Sequence, residues 1–192
     1  MENHKSAIDT IHFPSVTFDN NTAKNILATR FILESQHGMH HLFSDGSLQY
    51  FRNINIRMSF AVAFKGAKGK YDVAVTGTAD GYATSTRAEI VGILATILCC
   101  PRDQPATIYT DDQSAVHEFS ALVQSSTTTQ QPILSPNADW WRVVKIAYIQ
   151  QGRQITVHWV RGHSGVAGNV AADRLADKAH TTEFASWHLS QH

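Results

Sequence analysis

The sequence predicts an α/β fold: a five-stranded mixed sheet, three antiparallel strands followed by parallel ones, with helices on both faces. Two observations predict it. From His41 onward, three segments alternate apolar and polar residues between Asn-, Gly- or Lys-rich turns, the mark of an antiparallel meander. Helical and strand patterns then alternate to residue 181, and such crossovers return the later strands parallel to the first.

The elements follow in order. Residues 1–40 mix polar turn residues with one amphipathic helix over Thr22–Glu34, in which Ile26, Leu27 and Phe31 share a face. This stretch reads as a leader or connector packed on a domain spanning 41–183, with 184–192 as a tail. His41–Tyr50, Arg57–Phe64 and Tyr71–Ala79 are the meander. Thr84–Cys100 is apolar nearly all round, as a buried helix should be, and stops at Pro101. Ala106–Thr110 is a short strand, and a helix begins near Asp112 and carries Val116, Phe119, Leu122 and Val123. Ser125–Asn137, rich in Ser, Thr, Gln and Pro, is a loop. A helix over Asp139–Gln151, a strand over Ile155–Val160 and a helix over Val166–Thr181 complete the pattern, which holds no internal repeat.

With 192 residues, 43% of them hydrophobic, one domain can build a core without disulfides or a structural metal. Lys plus Arg and Asp plus Glu both count 16, so the formal net charge is zero. A protein that grips nucleic acid unaided is usually basic, because its cations must replace the counterions of phosphate. Neutrality therefore argues against tight independent binding, while leaving weak binding aided by metals or an attached partner. Cys99 and Cys100 are adjacent in an apolar helical run and read as reduced packing residues of a cytoplasmic or nuclear protein. No apolar stretch is long enough to span a bilayer, and the N-terminus lacks the apolar core of a signal peptide.

Four carboxylates stand out. Asp45 lies on the first strand before Gly46, where the missing Cβ lets a backbone or a metal approach; a plain Asp-Gly turn is the alternative. Asp111 ends an apolar strand, the edge where ligands collect in open α/β sheets, though a helix N-cap at Asp111 or Asp112 fits equally well. Glu89 sits in an otherwise apolar helix. Burying it unpaired costs several kcal/mol on the order of its desolvation penalty, and Arg87, two residues away, points to a different side. A cation is the better account. Asp173 follows a Gly-bracketed turn, Gly162-His163-Ser164-Gly165, whose His could carry protons or exchange water.

In this order the motifs resemble type 1 ribonuclease H, including the domains fused to reverse transcriptases of retroelements such as non-LTR retrotransposons. The resemblance rests on Ser44-Asp45-Gly46-Ser47, Thr86-Arg87-Ala88-Glu89, Tyr109-Thr110-Asp111-Asp112-Gln113, and Gly162-His163 with Asn169 and Asp173, and covers about residues 40–180. It implies a ribonuclease H-like fold and an endoribonuclease that hydrolyses the RNA strand of RNA–DNA hybrids with two Mg²⁺ ions, Mn²⁺ being able to substitute. The products would be a 3′-hydroxyl and a 5′-phosphate. Asp45 would bridge both metals, Glu89, Asp111 and Asp173 would complete the coordination, and His163 would assist proton transfer or product release. Gly46, Ser47, Ser85, Thr86, Gln113 and Asn169 would contact substrate; for Ser85 and Thr86, capping of the helix is the alternative.

One departure bears on function. Many relatives carry a Lys- and Arg-rich protrusion after the third carboxylate, whereas Asp103 to Trp141 contains neither residue. The expectation is a monomeric domain whose hybrid is held partly by a larger protein, such as an upstream reverse transcriptase domain, with no membrane involved. Trp140 and Trp141 read as core packing for at least one ring, with stacking on nucleic acid as the alternative. Proofreading-type exonucleases and integrases gather carboxylates on a similar sheet but lack this order of motifs. A non-catalytic hybrid-binding or scaffold domain of a polyprotein is the other reading, weakened by the four intact carboxylates.

Overall fold

The computed structural model describes residues 20–36, 38–51, 55–66, 69–79, 82–124, 137–181 and 186–187. The elements are α1 (Asn20–Glu34), β1 (His40–Phe51), β2 (Asn55–Lys65), β3 (Tyr71–Ala79), α2 (Ser85–Cys99), β4 (Ala106–Thr110), α3 (Gln113–Gln124), α4 (Ala138–Gln150), β5 (Ile155–Trp159), α5 (Ala167–Ala179) and β6 (Ser186–Trp187). The five expected strands form one mixed sheet in the order β5-β4-β1-β2-β3, antiparallel across β1-β2-β3 and parallel across β1-β4-β5. The two-residue β6 adds parallel to β3, pairing Thr78 with Ser186 and Ala79 with Trp187. Pairing this short carries no alternation for a sequence reading to detect. The expected 125–137 loop lies outside the described residues except for Asn137.

Helix α2 is the centre of the core. Every residue from Ala88 to Cys99 is buried, which is why its sequence shows no polar stripe. It packs on β1 and β2, with α4 and α1 beside it, while α5 covers the opposite face over β1, β2 and β3. Thr84 caps α2 by accepting a bond from the Arg87 N–H at 3.1 Å. The Arg87 side chain turns away from Glu89, as expected, and donates to Asn137 Oδ1 at 3.0 Å and to the Tyr82 carbonyl at 2.9 Å. Trp140 and Trp141 are both buried in the main cluster, so neither ring offers a face to nucleic acid. Cys99 and Cys100 are unpaired and buried, and burial pushes the Cys100 thiol up to about 12.

Helix α1 exists where expected, but on a different face. Thr22, Ala23, Ile26, Thr29 and Leu33 are buried, whereas Phe31 is 74% exposed. Phe31 lies five residues after Ile26, about 140° around the helix, so both could not point inward. Arg30 fastens the helix to the domain by donating from Nε and from the guanidinium end to the Leu98 carbonyl at the end of α2.

Candidate active site

The site is built where parallel pairing between β1 and β4 stops. The last pair is Phe43 with Tyr109, and Asp45 and Asp111 each lie two residues beyond it, on the face that α5 covers. Glu89 arrives from the first turns of α2, which passes very close to β1. A Cβ on Gly46 would run into the Ala88 carbonyl carbon and the Glu89 nitrogen, and one on Gly92 would lie 2.7 Å from Ser44 Oγ. Of the two approaches weighed for Gly46, the backbone is the one observed. One oxygen each from Asp45, Glu89 and Asp111 lies within 4.8 Å of the others.

Asp173 stands on α5 outside that group of three, within electrostatic reach of it. His163 occupies an exposed turn in the left-handed region, at φ 51°, and Gly165 follows at 82°. Gly162 is pressed against Asp111, where a Cβ would sit 2.7 Å from Oδ2. The predicted glycines thus allow a tight turn directly over the third carboxylate.

Charge is crowded here. Asp45 is pushed up to about 8, by burial first and then by Asp111, Asp173 and Asp177. Glu89 is raised well above its ordinary range by burial, then by Asp45, Asp111 and Asp112; the Gly46 N–H donating to its carboxylate opposes this. Asp173 is raised by burial and Asp177, with His163 drawing it back down. Among the described residues, donors to the site's carboxylates are the Gly46 N–H, the Thr110 hydroxyl on Glu89 Oε2 at 3.4 Å, and the Asn169 amide on Asp111 Oδ2 at 3.1 Å. All are neutral. Asn169 is itself buried, and its Oδ1 has no partner. Three crowded hard oxygens with neutral donors and an orphaned buried carbonyl oxygen fit a divalent cation.

The ambiguity at the Asp-Asp pair resolves cleanly. Asp112 Oδ1 accepts from the Ser114 and Ala115 N–H groups at 2.8 and 3.1 Å and caps α3. Asp111 keeps its carboxylate for the site, and its carbonyl accepts from Trp159 Nε1 at 3.1 Å. Asp112→Ala is expected to cost about 1 kcal/mol of stability, read as a lower urea midpoint with unchanged slope. Capping was also the alternative for Ser85 and Thr86, but Thr84 performs it; both lie in the first turn of α2. Gln113 is exposed at the start of α3. The Ser47 hydroxyl donates to Asp177 Oδ1 at 2.6 Å. Sequence reasoning gave no role to Asp177, Thr110 or Trp159, though Thr110 stood within the Tyr109–Gln113 motif. Asp177 had a signal, since it follows Asp173 by four residues and so shares its helix face.

A sequence model of the RNase H family matches residues 38–181, three quarters of the chain and a span within which these positions fall. The chain belongs to the ribonuclease H family. It is 34% identical over 101 residues to a ribonuclease H of Cupriavidus metallidurans, covering 50% of this chain and 67% of that protein. A ribonuclease H of Francisella tularensis subsp. novicida is 32% identical over 102 residues, covering 50% of this chain and 64% of that protein. Among solved structures, the prototype foamy virus ribonuclease H domain superposes with a TM-score of 0.54 at 18% identity, over 74% of this chain and 95% of that one. A foamy viral protease–reverse transcriptase in complex with an RNA/DNA hybrid also has a TM-score of 0.54, at 16% identity, over 74% of this chain and 20% of that one. These structural likenesses confirm the ribonuclease H-like fold, and the family makes the chain a ribonuclease H enzyme of a kind that generally uses divalent metals.

Proposed function

We propose that this ribonuclease H hydrolyses the RNA strand of RNA–DNA hybrids at the Asp45–Glu89–Asp111–Asp173 centre. The observation that carries the reading is the convergence of Asp45, Glu89 and Asp111 within 4.8 Å, from two strands and a helix, with neutral donors from Gly46, Thr110 and Asn169. Two Mg²⁺ ions held by these three and by Asp173 would supply an activated water and neutralise charge on the departing 3′ oxygen. The protein's own part is positional. Asn169 and the Gly162 turn hold the Asp111 carboxylate, the Gly46 N–H and Thr110 hold that of Glu89, and His163 waits beside Asp173 to move a proton as the P–O3′ bond breaks. Water adds to phosphorus, leaving a 5′-phosphate on one product and a 3′-hydroxyl on the other.

Ser85, Thr86 and Gln113 present hydroxyl and amide groups at the starts of α2 and α3, which suits contacts with the 2′-hydroxyls that distinguish RNA from DNA. Ser47 and Asn169 lie on the face covered by α5, engaged in the bonds to Asp177 and Asp111, while Gly46 faces α2. Absence of Lys and Arg between Asp103 and Trp141 supports a domain that works beside a larger reverse transcriptase of a retroelement. The fold shared with a protease–reverse transcriptase agrees with that setting. The catalytic domain would span 41–183 and act as a monomer in the cytoplasm or nucleus; none of the described helices is long and apolar enough to cross a membrane.

The test is incubation of the chain with labelled RNA–DNA hybrid, duplex RNA and duplex DNA, with and without Mg²⁺ or Mn²⁺. Cleavage confined to the RNA of the hybrid is expected, falling by about a thousandfold or more in Asp111→Asn on the scale of losing electrostatic stabilisation at a reacting centre. Undiminished cleavage by that variant would remove the metal assignment.

A further inference from the structure

The sheet face that carries the carboxylates does not end with them. On β1 and β4, two residues back from Asp45 and Asp111 and so about 7 Å along the strands, lie Phe43 and Tyr109. Helix α5 crosses this face only as far as Gly168, which is packed tightly on the Phe43 ring. Beyond it a hollow of about 460 Å³ opens between the sheet, the chain following α1, and the residues flanking the Gly162-His163 turn, Val160 and Val166. None of its described lining residues is an Asp or Glu, and Lys65 and His41 are among them and exposed. One sheet face therefore has a carboxylate end and a cation-bearing end.

The walls of the hollow are flat rings held nearly parallel. Tyr109 stacks on Phe43 at 4.9 Å between centroids and 23° between planes, and on His41 at 5.9 Å and 21°. Tyr71 meets Phe43 edge-on at 5.4 Å. The Tyr109 hydroxyl and His41 Nδ1 lie 3.1 Å apart, which fixes both rings. Tyr109 and Tyr71 remain partly open to solvent and His41 is exposed, so the platform is reachable. A fixed aromatic platform beside a cation is how proteins hold unpaired nucleotides, whose bases stack while their phosphates meet Lys or Arg. The volume suits one nucleotide.

We propose that this hollow binds a single nucleotide, its base packed against the open parts of the Tyr109, Tyr71 and His41 rings, which buried Phe43 backs, and its phosphate directed to Lys65. The choice of nucleotide rests on the hybrid-cleaving reading; the platform and its charge do not. Such a nucleotide can be free, or the unpaired end of a strand engaged at the carboxylates.

The test keeps those sources, and the two readings, apart. The full chain is titrated in EDTA, so that the carboxylate centre cannot recruit phosphate through metal, with AMP, GMP, CMP, UMP and ribose 5-phosphate, following aromatic-ring resonances by NMR. The nucleotides are expected to shift the Tyr109, Phe43 and Tyr71 rings, and ribose 5-phosphate is not. Tyr109→Leu should weaken binding by about fivefold to a hundredfold, the span of base–aromatic stacking, and the surface change Lys65→Gln should weaken nucleotides without abolishing ring shifts. In a parallel arm, anisotropy compares a blunt hybrid with one bearing a three-nucleotide extension; tighter binding of the extended hybrid assigns the hollow to strand ends, and mononucleotide binding without that gain assigns it to free nucleotides. Equal response to ribose 5-phosphate, no ring shifts at millimolar nucleotide, or binding unchanged in a folded Tyr109→Leu, Lys65→Gln double variant overturns the proposal, whatever the cleavage assay reports.

Discussion

Asp45→Asn is expected to melt well above the parent chain at pH 8 in EDTA, while losing hybrid cleavage. The Asp45 carboxyl titrates at about 8 in the folded protein against 3.8 ordinarily, chiefly because it is buried and faces Asp111, Asp173 and Asp177. Between those two values the folded state holds a proton that the unfolded state has released. Stability contributed by this group is therefore complete below about pH 4 and is lost as pH rises towards 8. Four pH units correspond to on the order of 5 kcal/mol, or roughly 10 °C or more in a chain of this size. Asparagine keeps the shape and cannot ionise, so the parent should lose melting temperature between pH 5 and pH 8 and the variant should lose less, its remaining loss coming from Glu89 and Asp173, which burial also raises. Mg²⁺ should recover more of the loss in the parent than in the variant, because a cation bound to the native state acts by mass action. Calorimetry of both proteins at the two pH values, with and without metal, measures all of these differences. A variant that melts below the parent at pH 8 without metal would mean that Asp45 is held by more than its like-charged neighbours and burial.

The same group shows why so much of this site was legible in sequence. A carboxylate inside α2, where every residue from Ala88 to Cys99 is buried, has no structural excuse, and Glu89 was visible for that reason. Strand alternation located β1 to within two residues, and the short apolar run of β4 delivered Asp111 to the open edge. What escaped depends on contacts far apart in the chain. Ser47 meets Asp177 across 130 residues, and Asn169 meets Asp111 across 58. No local period encodes such pairs. Phe31 failed differently. A short helix at the edge of a domain can satisfy several apolar groupings, and Arg30 reaching the Leu98 carbonyl helps hold the orientation that leaves Phe31 outside. The cap at Thr84 rather than at Ser85 or Thr86 is a one-residue matter, decided by which hydroxyl reaches the Arg87 N–H.

Gly46→Ala should be the most damaging single methyl group this chain can receive near the site. The added carbon would collide with the Ala88 carbonyl carbon and the Glu89 nitrogen, and would stand 2.6 Å from the Ala88 carbonyl oxygen. These are backbone atoms of a helix whose surroundings are fully packed, so no rotamer change makes room. Either α2 moves off β1 or β1 bends, and overpacking of this kind costs about 1–3 kcal/mol and occasionally more. Ala88→Gly should not rescue it, because the obstruction is the Ala88 main chain and not its methyl group. The chemical consequence exceeds the stability loss. Gly46 also donates its N–H to the Glu89 carboxylate, and a shift of α2 lengthens that bond and separates Glu89 from Asp45 and Asp111 together. Metal titration by calorimetry is therefore expected to show weaker Mg²⁺ binding in Gly46→Ala even at a temperature where the variant is fully folded, with hybrid cleavage reduced at least tenfold, the effect of about 1.4 kcal/mol at the transition state. Normal metal affinity in a folded variant would show that the close crossing of β1 and α2 serves packing alone, and that Glu89 finds its place by another route.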